Sequence, residues 1–318
     1  MNPIQGSKVS VIGAGAVGAT TAYALLMRGA ARTVALMDIN KAKVEAEVLD
    51  LAHGSEFNPA AEILGGTDAS VCADSDVIVF TAGAKQKPGQ SRLELAETTI
   101  KLAQQVLPDL VAVAPNATII MVTNPVDVVT YAALKATGLP PNQLFGSGTV
   151  LDSSRLRYLI AQATGVAVQN VHAYIAGEHG DSEIPLWSTA TIGGLPLLDW
   201  TPMPGYQPID EEVRARIAHE VVHSAYQIIE GKGATNYAIG LASTRIVEAI
   251  LGDERRILPV STLATGFHGI GDVCLSLPSI VDRRGCDMRL DTPISDEEEA
   301  GLLASARALR ETIEQFGL

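Results

Sequence analysis

The turn Gly13-x-Gly15-x-x-Gly18 constrains this chain most, because of what stands on either side of it. A short apolar run, Val9–Ile12, leads into the turn, and a helical pattern, Val17–Arg28, leads out. Asp38 then closes the next apolar run, Thr33–Met37, about twenty residues further on. In that setting the glycines give a tight turn and a close approach of backbone to a pyrophosphate, whose charge meets a helix N-terminus. An acid at the end of the second strand accepts ribose hydroxyls and repels a 2′-phosphate, which predicts NAD rather than NADP. The plainer alternative is a glycine-rich turn in the same fold that binds something else.

Val77–Phe80 and Ile119–Val122 read as further buried parallel strands, with helical periodicity at Lys41–Ala52 and Leu93–Leu107. The second half changes character. Val171–Ala176, Ala190–Ile192, Leu258–Leu263 and Val273–Ser279 are expected as strands of a mixed or antiparallel lobe, with helices at Leu151–Ala163, Asp210–Glu230 and Tyr237–Leu251. Ser295 and Glu298 form a capping-box signature before a helix that carries Leu302, Leu303, Ala306, Leu309 and Ile313 along one face. The expected class is α/β: a Rossmann doubly wound parallel sheet followed by an α+β catalytic domain. The boundary is expected near Gly146–Thr149, giving an NAD-binding domain at 1–147 and a substrate-binding domain at 148–318.

At 318 residues, with 47% hydrophobic and 19% charged residues, the chain can build a substantial core, which excludes a disordered protein. Its formal charge of −13 disfavours nucleic acid and anionic membrane surfaces, so any anion site must gather Arg, Lys or His locally. Cys72, Cys274 and Cys286 are too scattered for a metal pattern and read as reduced core thiols of a cytoplasmic protein. No signal core or membrane-length apolar run is present, and a soluble protein is expected.

The chemistry gathers in the second half. Asp152 and Arg155 stand three apart, on one face of a predicted helix, and His179 follows in Gly177-Glu-His-Gly-Asp181. A fixed guanidinium can grip a carboxylate with two hydrogen bonds, and an imidazole held by a buried Asp carries protons. With a dinucleotide turn, these are the parts for moving a hydride and a proton on a small carboxylic acid. The polar loop from Thr81 to Arg92 follows a strand, at the sheet edge where open α/β folds bind ligands, although seen alone it reads as an ordinary solvated loop. Other motifs carry less. Gly231-Lys232-Gly233 lacks the frame of a phosphate-binding P-loop, and Gly146-Ser147-Gly148 lacks that of a nucleophile elbow. His219 and His223 are four apart but have no third ligand nearby, so no metal is expected. His53 and His268 receive no role, and Trp187 and Trp200 read as packing residues.

Taken in order and spacing, Gly13-Ala-Gly-Ala-Val-Gly18, Asp38-Ile-Asn40, Gln86-Lys-Pro-Gly89 through Arg92, Thr123-Asn-Pro-Val-Asp127, Leu151-Asp152-x-x-Arg155, Gly177-Glu-His-Gly-Asp-Ser182 and Gly231-Lys-Gly-Ala-Thr235 resemble the lactate/malate dehydrogenase family, bacterial L-lactate dehydrogenases in particular, along essentially the whole chain. Gln90, where Glu is common, and Gly66-Thr67-Asp68, which lacks a frequent Tyr, depart from that pattern. The resemblance implies His179 as general acid and base, Asp152 as its orienter, and Arg155 as a bidentate clamp on the substrate carboxylate. It implies that Arg92 polarises the carbonyl from a closing loop, that Asn124 bonds the reacting oxygen, and that Thr235 and Ile239 bound the methyl side. Cofactor contacts are implied for Gly13, Gly15, Val17, Gly18, Asp38, Lys43, Gly83, Ala84, Val122, Asn124 and Ser147. Malate dehydrogenases carry Arg at the position of Gln86. A neutral amide there leaves a second substrate carboxylate unpaired and favours pyruvate/L-lactate.

Arg157 and His172 match the residues that bind fructose 1,6-bisphosphate across a subunit interface in the activated bacterial members, which implies that effector and a homotetramer. Read alone, they are a surface Arg and a packed or solvated His. The rival functions are a malate or bulkier 2-hydroxy-acid dehydrogenase and, in a different class, a non-catalytic NAD-binding structural or sensor protein. A hydrolase lacks a nucleophile or carboxylate pair in a suitable context.

Overall fold

The computed structural model describes residues 6–83 and 92–318, apart from the side chains of Arg92, Asp287 and Met288. Its first half alternates as β1 (Lys8–Ile12), α1 (Ala16–Arg28), β2 (Thr33–Met37), α2 (Lys41–His53), β3 (Glu62–Gly66), β4 (Val77–Phe80), α3 (Arg92–Val113), β5 (Thr118–Met121), α4 (Val126–Thr137) and β6 (Leu144–Gly146). The strands lie in the order β6-β5-β4-β1-β2-β3 and pair in parallel. This is the doubly wound order that the alternation predicts.

Successive strand residues point to opposite faces, so each strand feeds two cores. Ile78, Phe80, Ile119 and Met121 join Ile100, Leu107, Val129 and Leu309 on one face. Val77, Val79 and Ile120 join Leu25, Leu26 and Val247 on the other. Periodicity alone does not reveal α4, β3 or β6, nor the strand at Gly285–Arg289. Helix α4 is buried at every position from Val126 to Leu134, so no polar face marks its turn. β6 has only three residues, and β3 is a half-exposed edge strand that ends in two glycines.

The second half continues with α5 (Val150–Thr164), β7 (Val171–His172), β8 (Ile175–Ala176), β9 (Ile184–Pro185), β10 (Thr191–Ile192), β11 (Leu195–Pro196), α6 (Glu211–Lys232), α7 (Tyr237–Leu251), β12 (Arg256–Phe267), β13 (Ile270–Asp282), β14 (Gly285–Arg289) and α8 (Asp296–Gln315). The stretch expected as one strand over Val171–Ala176 divides in two. β7 pairs with β10 and β8 with β9, while the carbonyls between them go to Arg157 Nε and to the Leu186 amide.

The long hairpin β12–β13 and strand β14 are antiparallel, yet they extend the parallel sheet rather than stand apart from it. Ser261 of β12 lies opposite Gly146 of β6, so a nine-stranded sheet runs through both halves among the described residues. A side chain at 146 would sit 2.7 Å from Thr130 Oγ1 and 2.9 Å from Ser261 Cβ, so the seam requires glycine. A third core, with Leu156, Ile160, Ile175, Ile192 and Val221, packs the small sheets against α5 and α6. The capping box at Ser295 and Glu298 opens α8 as its sequence indicates. No helix among the described residues is long and apolar enough to cross a membrane.

Candidate active site

The carboxyl ends of the parallel strands are knitted into one ledge. The Gly13 amide donates to the Met37 carbonyl, and Thr81 Oγ1 donates to the carbonyls of Ile12 and Gly13. Thr123 Oγ1 donates to the Ala82 carbonyl at 2.8 Å. Gly13 has a φ of 97°, and a Cβ on Gly18 would fall 1.8 Å from the Gly13 carbonyl oxygen, so the turn and the first helical turn pack backbone on backbone. Gly15, by contrast, faces open space and starts α1 without a side-chain cap or an acid in the first turn. Those uncapped amides are what a pyrophosphate needs.

Asp38 accepts the Ala14 amide at 2.7 Å through one oxygen and the Asn40 amide at 2.8 Å through the other, which fixes its carboxylate beside the turn. The residues of this ledge therefore fit a dinucleotide. Val17 packs on the core beneath it, and Val122 and Ser147 are buried at the ends of β5 and β6. Gly83 and Asn124 are exposed there. Lys43 pairs with Glu47 at 2.9 Å on α2. Thr235 and Ile239 are half-buried at the start of α7, where neighbouring Asn236 donates to Thr20 Oγ1 of α1 at 2.8 Å. Ala84 and Gln86 lie outside the described residues; Arg92 opens α3, and its side chain is not described.

Asp152, Arg155 and His179 come together. Asp152 is only 1% exposed; one carboxylate oxygen accepts Arg155 Nη1 at 2.6 Å, and the other lies 2.6 Å from His179 Nδ1. Burial opposes charge on both partners. The Asp152 carboxylate nevertheless outweighs it at the imidazole, with help from Asp127 and Glu183, and raises His179 to about 9. The imidazolium and Arg155 in turn hold Asp152 below its ordinary value against its own burial. Two fixed cationic groups on one buried carboxylate can bind an anion and deliver a proton to it.

The loop that carries His179 is anchored on all sides. Gly177 exchanges backbone hydrogen bonds with Ser276 of β13 at 2.9 and 2.8 Å. The Glu178 amide donates to Ser305 Oγ of α8, and Tyr226 of α6 donates to Asp181. The His179 amide donates to Asp127 Oδ2 at 2.7 Å, while Ser261 Oγ donates to Asp127 Oδ1 at 2.5 Å. Burial raises Asp127 to about 6 despite these bonds.

Sequence reasoning assigned no role to Asp127, because nothing along the chain links it to an amide 52 positions away. It also passed over Glu183, which lies four residues after His179 in a run that reads as solvated charge. Glu183 Oε1 is buried without a hydrogen-bond partner among the described residues, and a carboxyl oxygen of Asp152, a ring nitrogen of His179 and a carboxyl oxygen of Glu183 lie within 4.8 Å of one another. Arg157 points away from this cluster. Its Nε donates to the Ala173 carbonyl at 2.8 Å and its guanidinium stacks on Tyr174, next to the exposed His172. His219 and His223 stack on each other on exposed α6, and Trp187 and Trp200 pack against the third core.

Comparisons with known proteins agree across the chain. Residues 7–146 match the model of the lactate/malate dehydrogenase NAD binding domain, and residues 149–317 match that of the alpha/beta C-terminal domain of the same proteins. An L-lactate dehydrogenase of Bifidobacterium animalis subsp. lactis is 58% identical over 316 residues, covering 99% of each chain. One from a Thermoanaerobacter species is 45% identical over 98% of this chain and 100% of its own. The crystal structure of a minor L-lactate dehydrogenase from Enterococcus mundtii superposes with a TM-score of 0.93 at 37% identity, covering 97% of this chain and 98% of that one.

Proposed function

The chain belongs to the lactate/malate dehydrogenase family, and from that premise we propose how its residues carry out the reversible reduction of pyruvate. Its activity is that of an L-lactate dehydrogenase, and its cofactor is NAD. In this reading residues 1–147 form the cofactor-binding domain, which also lends Gln86, Arg92 and Asn124 to the substrate, and residues 148–318 form the substrate-binding domain. Asp38 takes the adenosine ribose hydroxyls and disfavours a 2′-phosphate, and the α1 N-terminus takes the pyrophosphate, with Val17, Lys43, Gly83, Ala84, Val122 and Ser147 along the remaining length. NAD held there would supply the hydride chemistry at the substrate carbon that is ketone in pyruvate and alcohol in lactate.

Arg155 grips the substrate carboxylate through its fork. His179 Nε2 gives its proton to the ketone oxygen and recovers it in the opposite direction. Asp152 accepts Nδ1–H, so the imidazole keeps one tautomer and its cation is stabilised. Arg92 polarises the carbonyl and excludes water on closure, Asn124 bonds the reacting oxygen, and Thr235 and Ile239 bound the methyl group. Gln86, a neutral amide, would give a second substrate carboxylate no ion-pair partner.

The observation that carries this reading is the shared carboxylate of Asp152, bonded to Arg155 on one oxygen and to His179 on the other. Initial rates on pyruvate, oxaloacetate and 2-oxoisocaproate at fixed NADH test it. Pyruvate should be reduced fastest, and faster reduction of the dicarboxylic acid would remove the assignment of Gln86.

We further propose a homotetramer in which Arg157 and His172 take the phosphates of fructose 1,6-bisphosphate across a subunit interface. Cationic sites that repel one another would be relieved when a bisphosphate bridges them. Half-saturation by pyruvate should then fall when the bisphosphate is added. A half-saturation that stays the same at neutral and acidic pH counts against it.

A further inference from the structure

Three carboxyls surround His179, and each meets it differently. Asp152 bonds the imidazole, Asp127 bonds the backbone amide, and Glu183 bonds neither, although its carboxyl is within 4.8 Å of the Asp152–His179 pair. A buried carboxyl oxygen without a donor is costly, and in a native fold it calls for a reason. The charged groups that act on Glu183 are Asp152 and Arg155 from α5 and His179 and Glu178 from its own loop, while Asp127 of α4, on the His179 backbone amide, acts on the imidazole.

We propose that Glu183 is a positioning residue for the proton on His179, acting through the Asp152–His179 pair to keep the imidazole protonated as the pH rises. This rests on the assignment of His179 as the proton donor. Burial, reinforced by the negative charge of Asp152, pushes Glu183 up to about 8, while His179 stands at about 9. At neutral pH Glu183 is therefore largely uncharged, and the carboxylates of Asp152 and Asp127 offset Arg155 and the imidazolium locally. As the solution becomes alkaline, Glu183 ionises in the same range in which His179 titrates. The new carboxylate then lies beside the imidazolium and favours its charged form. The carboxyl behaves as a reserve of negative charge, silent at neutral pH and deployed where the imidazole would otherwise let go.

The test is the titration of the His179 ring in isotope-labelled protein free of substrate, followed by NMR and assigned by the signal lost in His179→Asn. Glu183→Gln, which keeps the shape and cannot ionise, should lower the ring's midpoint by about one pH unit. An unmoved midpoint overturns the proposal. Should that variant fail to fold, Glu183→Asp, whose charge is one methylene further back, should lower the midpoint by less, and an unmoved midpoint again overturns it. The alkaline limb of pyruvate kcat/KM should move in parallel. If the ring titration moves while the kinetic limb does not, the coupling of Glu183 to His179 stands and the assignment of His179 as donor is what fails.

Discussion

Replacing His179 with alanine should lower kcat/KM for pyruvate by about 10²–10⁴-fold, the range for losing a positioned general acid, while NADH still binds. The reason lies in how the imidazole is held. Its Nδ1 is 2.6 Å from a carboxylate that is almost entirely buried, and 23% of its side chain is exposed, so the opposite nitrogen is free to face a substrate. Removing the ring leaves Asp152 its bond to Arg155, so the carboxylate is not abandoned in the interior. The cofactor turn is built on β1 and α1 and is held by its own bonds to Met37 and Asp38. NADH fluorescence should therefore report binding while steady-state rates collapse; normal turnover would refute the donor role. The pH dependence has a defined sign. With His179 as the proposed donor, pyruvate reduction would need the imidazolium, which prevails below about 9, so its kcat/KM should fall as pH rises through that value. Lactate oxidation would then need the neutral ring and should lose kcat/KM as the pH falls.

The second large effect is a change of substrate. Gln86→Arg should turn preference from pyruvate toward oxaloacetate. A carboxylate buried beside a neutral amide has no partner, and leaving such a charge unpaired costs about 3–5 kcal/mol. That energy corresponds to about 10²–10⁴ in the ratio of kcat/KM values. The introduced guanidinium should recover it for oxaloacetate and impose an uncompensated cation on pyruvate, so both arms of the ratio move the same way. The measurement is kcat/KM for the two acids in both proteins. A variant that still prefers pyruvate would show that charge at this position does not decide the substrate.

The parallel half of the fold was legible because its strands are short apolar runs between amphipathic helices, and the glycine turn and Asp38 sit where that pattern requires them. Where burial is complete, the signal disappears. Helix α4 shows no polar stripe, and it is also the element that delivers Asp127 to the back of the His179 loop. The meeting of Asp152 and Arg155 could be read from a helical spacing of three. Their meeting with His179 could not, since it depends on Gly177 docking against β13 and on anchors from α4, α6 and α8. The family resemblance supplied that link. Glu183 escaped because a charge in a polar run is ordinarily solvated, and only the fold reveals that its oxygen is enclosed.

The seam between β6 and β12 has a mechanical meaning. Ser261 lies opposite Gly146 across the seam and also donates to Asp127, which holds the backbone of His179. A polypeptide cut at this point would expose a raw strand edge on the parallel portion and strip the hairpin of its neighbour. The two portions of the chain should therefore melt together, and a nick that loosened their junction should disturb the backbone hold on His179.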